Sequence, residues 1–379
     1  MIDPVAIAQD LIRCPSVTPA DAGALGALQT LLDAHGFATH RVVFDAAGTP
    51  SIDNLYARLG TGAPYLLFAG HTDVVPPGDA GAWQHDPFAA NVVDGVLYGR
   101  GAQDMKSGIA AFAAAALTYV QAHGAPRGSI GFLITGDEEG PAVNGTVKLL
   151  EWARTRGERF DHCIVGEPTS RTILCDQVKV GRRGSLNGRA IAVGRQGHVA
   201  YPAKADNPIP ALLDALRALR TPLDTGTAQF IASNLEITSI DVGNQATNVI
   251  PARATAAFNI RFNDKWTAPM LETELRARVA AASAAVRLEF EPCNASSFVT
   301  PLSPFTDLIC DAVEAELGRR PELSTSGGTS DARFIQNYCP VVELGLVGDT
   351  MHMVDECVPV GDLRTLAAIY GRCLEAYFA

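Results

Sequence analysis

The stretch Tyr65-Leu66-Leu67-Phe68-Ala69-Gly70-His71-Thr72-Asp73 is a short apolar run that breaks at a glycine and then presents polar side chains. Five apolar residues before a glycine predict a buried β-strand. The pattern recurs where Ile130–Thr135 leads to Asp137-Glu138-Glu139, and where Ile164-Val165 leads to Glu167. In open α/β sheets, functional groups collect beyond the carboxyl ends of strands. The three segments therefore predict one crevice, although they lie far apart in the sequence.

Candidate metal ligands gather at these breaks and at two further places in the chain. Oxygen and imidazole donors are ligands that zinc and other divalent metals take from proteins. Two imidazoles and three carboxylates suit a pair of such metals, and an adjacent carboxylate, Glu138, remains as a base for a metal-bound water. The candidate ligands are His71, Asp104, Glu139, Glu167 and His352.

Each of these positions also has an ordinary structural interpretation. Asp73 could accept the second ring N–H of His71, yet Asp73–Gly78 also has the composition of a turn. Asp104 precedes an alanine-rich helix and could simply complement the helix dipole. His352 could be an ordinary core histidine. Because all of these interpretations would have to hold together, the metal-dependent interpretation is favoured.

Length and composition limit the kind of protein this can be. The 379 residues exceed the roughly 250–300 that one hydrophobic core supports, so two domains are expected. The net charge of −11, without a long block of one sign, argues against a nucleic-acid partner. The sequence has neither a signal-peptide pattern nor a membrane-length apolar run, which predicts a cytoplasmic protein without a membrane partner. The eight cysteines are dispersed, and we expect them to be reduced and structural.

The order of predicted strands and helices divides the chain into two parts. Strands and helices alternate from residue 54 to 168 and again near the C-terminus, which predicts an α/β catalytic domain with a mixed sheet flanked by helices. Between them, residues 182–294 follow the β-α-β-β-α-β order of a ferredoxin-like α+β domain. Four candidate ligands precede this insertion and His352 follows it. Residues 1–181 and 295–379 are therefore expected to form one discontinuous domain.

Longer motifs carry a family resemblance. The segments Gly70–Pro76, Gly99–Lys106, Asp137–Glu139 and Gly166–Pro168 resemble the signatures of the aminoacylase and carboxypeptidase superfamily of two-zinc hydrolases. More specific stretches are similar to one family within it, the succinyl-diaminopimelate desuccinylases, and this similarity runs essentially from end to end. These stretches are Val180–Leu186, Gln196–Pro202, Ser326–Phe334, and Met351-His352 followed by Glu356-Cys357-Val358.

The resemblance implies a role for each candidate ligand. Asp104 would bridge two zinc ions. His71 and Glu167 would complete the coordination of one metal, and Glu139 and His352 that of the other. The expected cofactor is therefore a pair of divalent metals, Zn²⁺ first and Co²⁺ as the alternative.

The resemblance also implies catalytic and substrate-binding residues. Glu138 would be the general base, Asp73 would assist catalysis beside His71, and His198 would reach the active site of the partner subunit and steady the oxyanion. The inserted domain, 182–294, would serve as a lid and for dimerisation, so a homodimer is expected. The arginines among the substrate contacts suit a substrate with several carboxylates. The implied contacts are Arg182, Ser185, Tyr201, Asn248, Arg261, Gly328 and Thr329.

The resemblance implies a small-molecule reaction, the hydrolysis of N-succinyl-LL-2,6-diaminopimelate to succinate and LL-2,6-diaminopimelate in lysine and diaminopimelate biosynthesis. The resemblance implies a metal-bridged hydroxide with a glutamate general base. A related metallo-deacylase, such as acetylornithine deacetylase, would share the metal centre. From another class, the alternative is a metal-free binding protein on a decayed hydrolase. Three positions depart from the family's usual pattern, and none of them is a ligand: Gln103, Thr247 and Met353.

Overall fold

Two units make up the chain in the computed structural model, which describes residues 2–379. The first contains the residues up to Val180 together with Thr300–Ser324 and Ser330–Ala379. The second contains Gly181–Val299 and Thr325–Thr329. The second unit is thus longer at both ends than the inserted domain expected over 182–294, and it includes a later segment.

Strand pairing and one side-chain contact explain these wider limits. Gly181–Arg182 and Phe298–Val299 pair antiparallel with each other, so both strands belong to the second unit. The Arg182 Nη1 donates to the Ser326 carbonyl at 3.3 Å, which ties the later segment to the same unit. Neither contact leaves a periodic signal in the sequence.

The α-helices of the described chain alternate with strands, and several begin at a proline, where the missing N–H costs no helical hydrogen bond. In chain order they are α1 Pro4–Ile12, α2 Ala24–Asp33, α3 Ser107–His123, α4 Thr146–Thr155, α5 Pro208–Leu219, α6 Ala268–Ala282, α7 Pro304–Leu317, α8 Ala332–Ile335 and α9 Val360–Tyr377.

The strands range from two-residue pairings to runs of more than nine residues. In chain order they are β1 Ala38–Ala46, β2 Thr49–Gly60, β3 Tyr65–His71, β4 Val92–Val93, β5 Val96–Tyr98, β6 Ser129–Thr135, β7 His162–Val165, β8 Gln177–Lys179, β9 Gly181–Arg182, β10 Gly184–Val193, β11 Gly197–His198, β12 Asn234–Asp241, β13 Val249–Ile250, β14 Arg253–Phe262, β15 Val286–Phe290, β16 Phe298–Val299, β17 Glu322–Ser324, β18 Val341–Glu343 and β19 Cys357–Pro359.

A mixed sheet forms the centre of the first unit. Its strand order within residues 2–379 is β1-β2-β6-β3-β7-β18-β8-β17. The central strands β6, β3, β7 and β18 run parallel, whereas β1 and β2 extend the sheet as an antiparallel hairpin. Strands β3 and β6 are buried along their whole length, which explains their continuous apolar sequence. The predicted mixed sheet flanked by helices is confirmed.

Helix α3 covers the middle of this sheet and packs against α1 and α9. Its first eleven residues are all buried, and many are alanines, which let neighbouring backbones approach closely. Phe68 of β3 stacks on Phe112 of α3 with ring centroids 4.3 Å apart, and Tyr370 of α9 meets the Phe112 ring edge-on at 5.5 Å. This core holds the strand ends of the first unit in fixed register.

The second unit contains an antiparallel sheet in the order β12-β14-β10-β15. Helices α5 and α6 pack against each other, and their apolar side chains share one core with the sheet. The chain order β10-α5-β12-β14-α6-β15 is the predicted ferredoxin-like order. The alternation of buried and half-buried residues along β14 is the pattern of a strand whose one face is covered by the helices.

Two further structural observations bear on the composition. All eight cysteines are free thiols, and five of them are buried.

Among residues 2–379, no helix combines the length and the apolar character needed to cross a membrane.

Gly108 marks the closest approach between α3 and the sheet. A Cβ at this position would lie 2.2 Å from the carbonyl oxygen of Gly166, just before Glu167. Because that neighbour is backbone rather than a flexible side chain, the helix would have to move to admit a methyl group. The absence of a side chain at Gly108 therefore sets the distance between α3 and the end of β7.

We predict that Gly108→Ala destabilises the protein. Alanine is favoured over glycine in a helix by about 1 kcal/mol, but overpacking typically costs about 1–3 kcal/mol. The matched control is Gly371→Ala in α9, where a Cβ would have no heavy atom within 4 Å and should be neutral or stabilising. Urea unfolding measures both changes, and a Gly108→Ala protein at least as stable as the parent would contradict this packing account.

Candidate metal centre

Three candidate ligands come from the carboxyl ends of adjacent parallel strands. His71 is the last residue of β3 and is in register with Thr135, the last residue of β6. Ala69 is in register with Val165 of β7, so Glu167, two residues later, is at the level of His71. Glu139 follows β6 after a short turn. The predicted gathering of polar groups beyond the strand ends is therefore present in the structure.

Asp104 reaches the same place from a distorted helical turn, Ala102–Lys106, that precedes α3. The backbone leaves helical angles at Asp104 and Met105. The buried carboxylate of Glu356 holds this turn by accepting from the backbone N–H groups of Gly101, Gln103 and Asp104 at 3.1, 2.8 and 3.2 Å. Asp104 is therefore fixed through its own backbone.

His352 lies in the loop before β19, and its imidazole points back to the strand ends. Its backbone has a positive φ of 63°, and its side chain is 45% exposed. It is the one candidate ligand in the described chain that belongs to the exposed class. The sequence interpretation of His352 as a core histidine is therefore wrong.

The carboxylate of Asp104 lies between the two imidazoles. The His71 Nε2 is 3.1 Å from Asp104 Oδ1, and the His352 Nε2 is 3.3 Å from Asp104 Oδ2. Glu167 Oε1 lies 3.7 Å from the His71 Nε2, and Glu139 Oε1 lies 2.8 Å from the His352 Nε2. The five candidate ligands thus form two groups that share Asp104.

These separations suit metal coordination. In a tetrahedral zinc site with bonds of about 2.1 Å, neighbouring ligand atoms lie about 3.4 Å apart. The four distances from the two imidazole nitrogens to carboxylate oxygens of Asp104, Glu139 and Glu167 run from 2.8 to 3.7 Å. Each group supplies one imidazole nitrogen and carboxylate oxygens, the donors that divalent zinc takes. The residues therefore fit two divalent metals that share one carboxylate.

The protonation of the cluster reflects its crowded negative charge. Burial lowers the pKa of His71, but the carboxylates of Asp104 and Glu167 outweigh this effect and raise it well above the ordinary value. Hydrogen bonds that His352 donates to the carboxylates of Asp104 and Glu139 raise its pKa to about 10. Burial and the charge of Asp104 raise the pKa of Glu167 well above its usual range. Raised pKa values are expected where carboxylates crowd together, because a bound proton or a metal cation offsets their charge.

Asp73 does not hold His71 in the expected way. Its carboxylate Oδ1 is 3.6 Å from the His71 Nδ1, whereas its own backbone carbonyl lies 2.8 Å from that nitrogen. The carboxylate instead accepts the backbone N–H groups of Glu138 and Glu139 at 3.2 and 3.0 Å. The short turn after His71 brings the carbonyl under the ring, so the backbone fixes the imidazole and the carboxylate fixes the Glu138-Glu139 turn.

Glu138 lies beside the ligand groups and is partly exposed, so it can reach both solvent and the centre. One of its oxygens lies within 4.8 Å of ligand atoms of His71 and Glu139. Burial raises the pKa of Glu138 to about 8, and the charges of Asp331 and Glu139 add to this effect. Glu138 is therefore a carboxylate that lies next to the candidate ligands but belongs to neither of the two groups that share Asp104.

The predicted substrate contacts all belong to the second unit, whereas the candidate ligands all belong to the first. Ser185 is in register with Arg261 across β10 and β14. Arg182 is the last residue of β9, two residues before β10 begins. Gly328 and Thr329 lie in the later segment, whose Ser326 contacts Arg182. Tyr201, Asn248 and His198 lie around the β11–β13 pairing, where the Val199 N–H donates to the Asn248 carbonyl.

Sequence reasoning missed the polar network behind the ligands. Arg100 Nη1 donates to the Glu356 carboxylate at 2.6 Å, and both side chains are almost fully buried. The Gln103 side chain contacts the loop that carries His352. A buried charged residue leaves no periodic signal, and these partners are about 250 residues apart in the sequence. Only the tertiary structure brings them together.

Comparisons with known proteins show the family of this chain. Residues 67–376 match the model of Peptidase family M20/M25/M40. The chain is 62% identical over 375 residues to a succinyl-diaminopimelate desuccinylase of Beijerinckia indica, covering 98% of each chain. It is 61% identical to a protein of the same name from Rhodopseudomonas palustris, covering 100% of this chain and 98% of that one.

Solved structures show the same fold at low sequence identity. A tripeptidase from Staphylococcus aureus superposes with a TM-score of 0.80 at 19% identity, covering 100% of this chain and 99% of that one. A dinuclear metal-binding peptidase of the M20 family from Bacillus subtilis superposes with a TM-score of 0.70 at 15% identity, covering 99% and 97%. At these identities the likeness supports the fold alone.

Proposed function

This chain belongs to peptidase family M20/M25/M40, and from that premise we propose that it hydrolyses N-succinyl-LL-2,6-diaminopimelate to succinate and LL-2,6-diaminopimelate. The observation that carries the proposal is the 62% sequence identity to succinyl-diaminopimelate desuccinylases over nearly the whole chain. The reaction breaks the amide C–N bond between the succinyl group and the amine and consumes one water. Its amine product would serve diaminopimelate and lysine biosynthesis.

The proposed cofactor is a pair of divalent metals, with Zn²⁺ as the best match to the donors and Co²⁺ as the alternative. Asp104 would bind both ions. His71 and Glu167 would complete one site, and Glu139 and His352 the other. When bound, such ions polarise a carbonyl oxygen and lower the pKa of water. The likeness in fold to a dinuclear metal-binding peptidase is compatible with this assignment.

The proposed general base is Glu138. It would accept the proton that the attacking water loses and deliver it to the amine nitrogen that leaves. Asp73 would orient this base, because its carboxylate holds the backbone N–H groups of both Glu138 and Glu139. The catalytic contribution of Asp73 would therefore be positional.

The second unit would supply substrate selection and the oxyanion contact. Arg182 and Arg261 would bind substrate carboxylates, together with the other contacts named above. His198 would donate to the oxyanion in the active site of a partner subunit of a homodimer, with the second unit serving as lid and interface. The His198 Nδ1 accepts the Ala200 N–H at 3.1 Å, so the neutral ring carries its proton on Nε2 and has a donor to offer.

Two alternative functions remain distinct from this proposal. An acetylornithine deacetylase would use the same metal centre, and the substrate contacts of the second unit are what separate it from a desuccinylase. A metal-free binding protein on a decayed hydrolase would have lost a ligand or the base. The five ligands and Glu138 are all present here, which argues against it.

The proposed function predicts that the purified protein releases succinate from N-succinyl-LL-2,6-diaminopimelate, and that Glu138→Gln nearly abolishes this release. A lost general base typically lowers kcat by about 10²- to 10⁴-fold. Metal content should stay at two per chain, because Glu138 is not assigned as a ligand. The matched control, Glu151→Gln at an exposed position of α4, should keep full turnover. Succinate release that survives Glu138→Gln would remove its assigned role, and no release by the parent protein would refute the function.

The partner role of His198 predicts that His198→Ala lowers kcat by about 10²- to 10³-fold, as the loss of one oxyanion donor does. Metal content should not change. The exposed His123→Ala is the control and should behave like the parent. Mixing the inactive His198→Ala and Glu138→Gln proteins should restore activity, since a hybrid dimer would contain one site with both groups. A mixture that stays inactive although the subunits exchange would contradict action across the dimer.

A further inference from the structure

The loop that carries His352 has little apolar burial to hold it. Met351, Met353 and Val354 are 38, 57 and 41% exposed. His352 and Asp355 both have positive φ values, 63° and 59°, in a backbone region that non-glycine residues seldom adopt. Because burial does not fix this loop, polar contacts with neighbouring segments must set the position of the imidazole.

Gln103 makes such contacts with both polar atoms of its side-chain amide. Its Nε2 donates to Asp349 Oδ1 at 2.8 Å, and its Oε1 accepts from the Thr350 N–H at 2.9 Å. Its own backbone N–H donates to the Glu356 carboxylate at 2.8 Å. The side chain is buried, with the residue only 3% exposed. Gln103 is thus bonded to the loop on both sides of His352.

Gln103 connects the turn that presents Asp104 with the loop that carries His352. It directly precedes Asp104, the carboxylate that faces both imidazoles. Its two side-chain hydrogen bonds reach the start of the His352 loop, three and two residues before the ligand. Other contacts hold His352 itself and the end of the loop: Arg100 Nη2 donates to the His352 carbonyl at 3.3 Å, and the Gln84 N–H donates to Asp355 at 2.8 Å. The distance between Asp104 and His352 therefore depends on Gln103 at one end of the loop.

We infer that Gln103 is a positioning residue that sets His352 against Asp104 and so pre-forms one of two metal positions. That position is the one assigned to Asp104, Glu139 and His352, and the inference rests on the proposed metal sites. Gln103 would not touch metal or substrate. The other position takes His71 and Glu167 from strand ends and shares Asp104, whose turn is held by the Glu356 carboxylate, so it includes no residue of the loop.

The inference predicts an asymmetric effect on metal binding. Gln103→Ala should weaken one of two binding steps by about 10- to 100-fold, the usual consequence of removing a group that orients a ligand. The other step should keep its affinity. A role confined to fold stability would lower the unfolding temperature without separating the two steps. We would measure this by calorimetric titration of the metal-free protein with Zn²⁺, and with Co²⁺ by its visible absorption.

An exchange of hydrogen-bonding groups supplies a matched rescue. Gln103→Glu places a second carboxylate against Asp349, and should weaken the same step at least as much as Gln103→Ala. Asp349→Asn in the same chain restores a donor opposite the new carboxylate, whose other oxygen still accepts the Thr350 N–H. The double variant should recover most of the lost affinity. This rescue keeps the test decisive even if Gln103→Ala fails to fold.

Three outcomes would overturn the inference: equal affinities for the parent and Gln103→Ala proteins, equal weakening of both steps, or no rescue by the double variant. His352→Ala separates this failure from failure of the proposed site. If His352→Ala changes neither binding step, the assignment of His352 as a ligand is wrong. If it weakens one step while Gln103→Ala weakens none, the site stands and the role of Gln103 does not.

Discussion

The first unit depends on one electrostatic constraint, the crowding of carboxylates around Asp104. Strand ends and loops bring Asp104, Glu139 and Glu167 together in largely buried positions, with two imidazoles between them. Such a cluster is unfavourable unless protons or cations balance its charge. The parallel register of β6, β3 and β7 holds side by side the strand ends that lead to His71, Glu139 and Glu167. The turn before α3 adds Asp104 to this group. A pair of divalent metals would balance the charge and supply the proposed chemistry.

Buried acids that are not assigned as ligands hold the backbone behind the ligands. Asp73 accepts the N–H groups of Glu138 and Glu139, and Glu356 accepts those of the turn that presents Asp104. A carboxylate that accepts several backbone hydrogen bonds fixes a loop more tightly than a neutral acceptor can. Arg100 offsets the charge of Glu356 at 2.6 Å. The same principle, a polar group that orients the loop rather than the metal, underlies the role inferred for Gln103.

Much of this arrangement could be predicted from the sequence, because short apolar runs that end at glycine report strand ends directly. The runs before His71 and Glu139 gave the crevice, and the β-α-β-β-α-β order gave the second unit. The sequence predicts a strand over 54–59, inside β2, but not β1, its hairpin with β2, or helices α1 and α2. The spacing of His71 and Asp73 allows a contact from the Asp73 carboxylate or a turn, and it does not show that the Asp73 carbonyl is the group that meets the ring. The Glu356 network joins residues about 250 positions apart and has no local signal.

The chemistry at Asp104 would serve many amide substrates, so the proposed specificity must come from the second unit. N-succinyl-LL-2,6-diaminopimelate carries three carboxylates, which suits contacts that include Arg182 and Arg261, whereas acetylornithine carries one. The most direct test is therefore a comparison of kcat/KM for these two substrates with one purified sample. A site built to bind the missing groups should favour the succinylated substrate by about 10⁴-fold. Equal or faster turnover of acetylornithine would contradict the assignment.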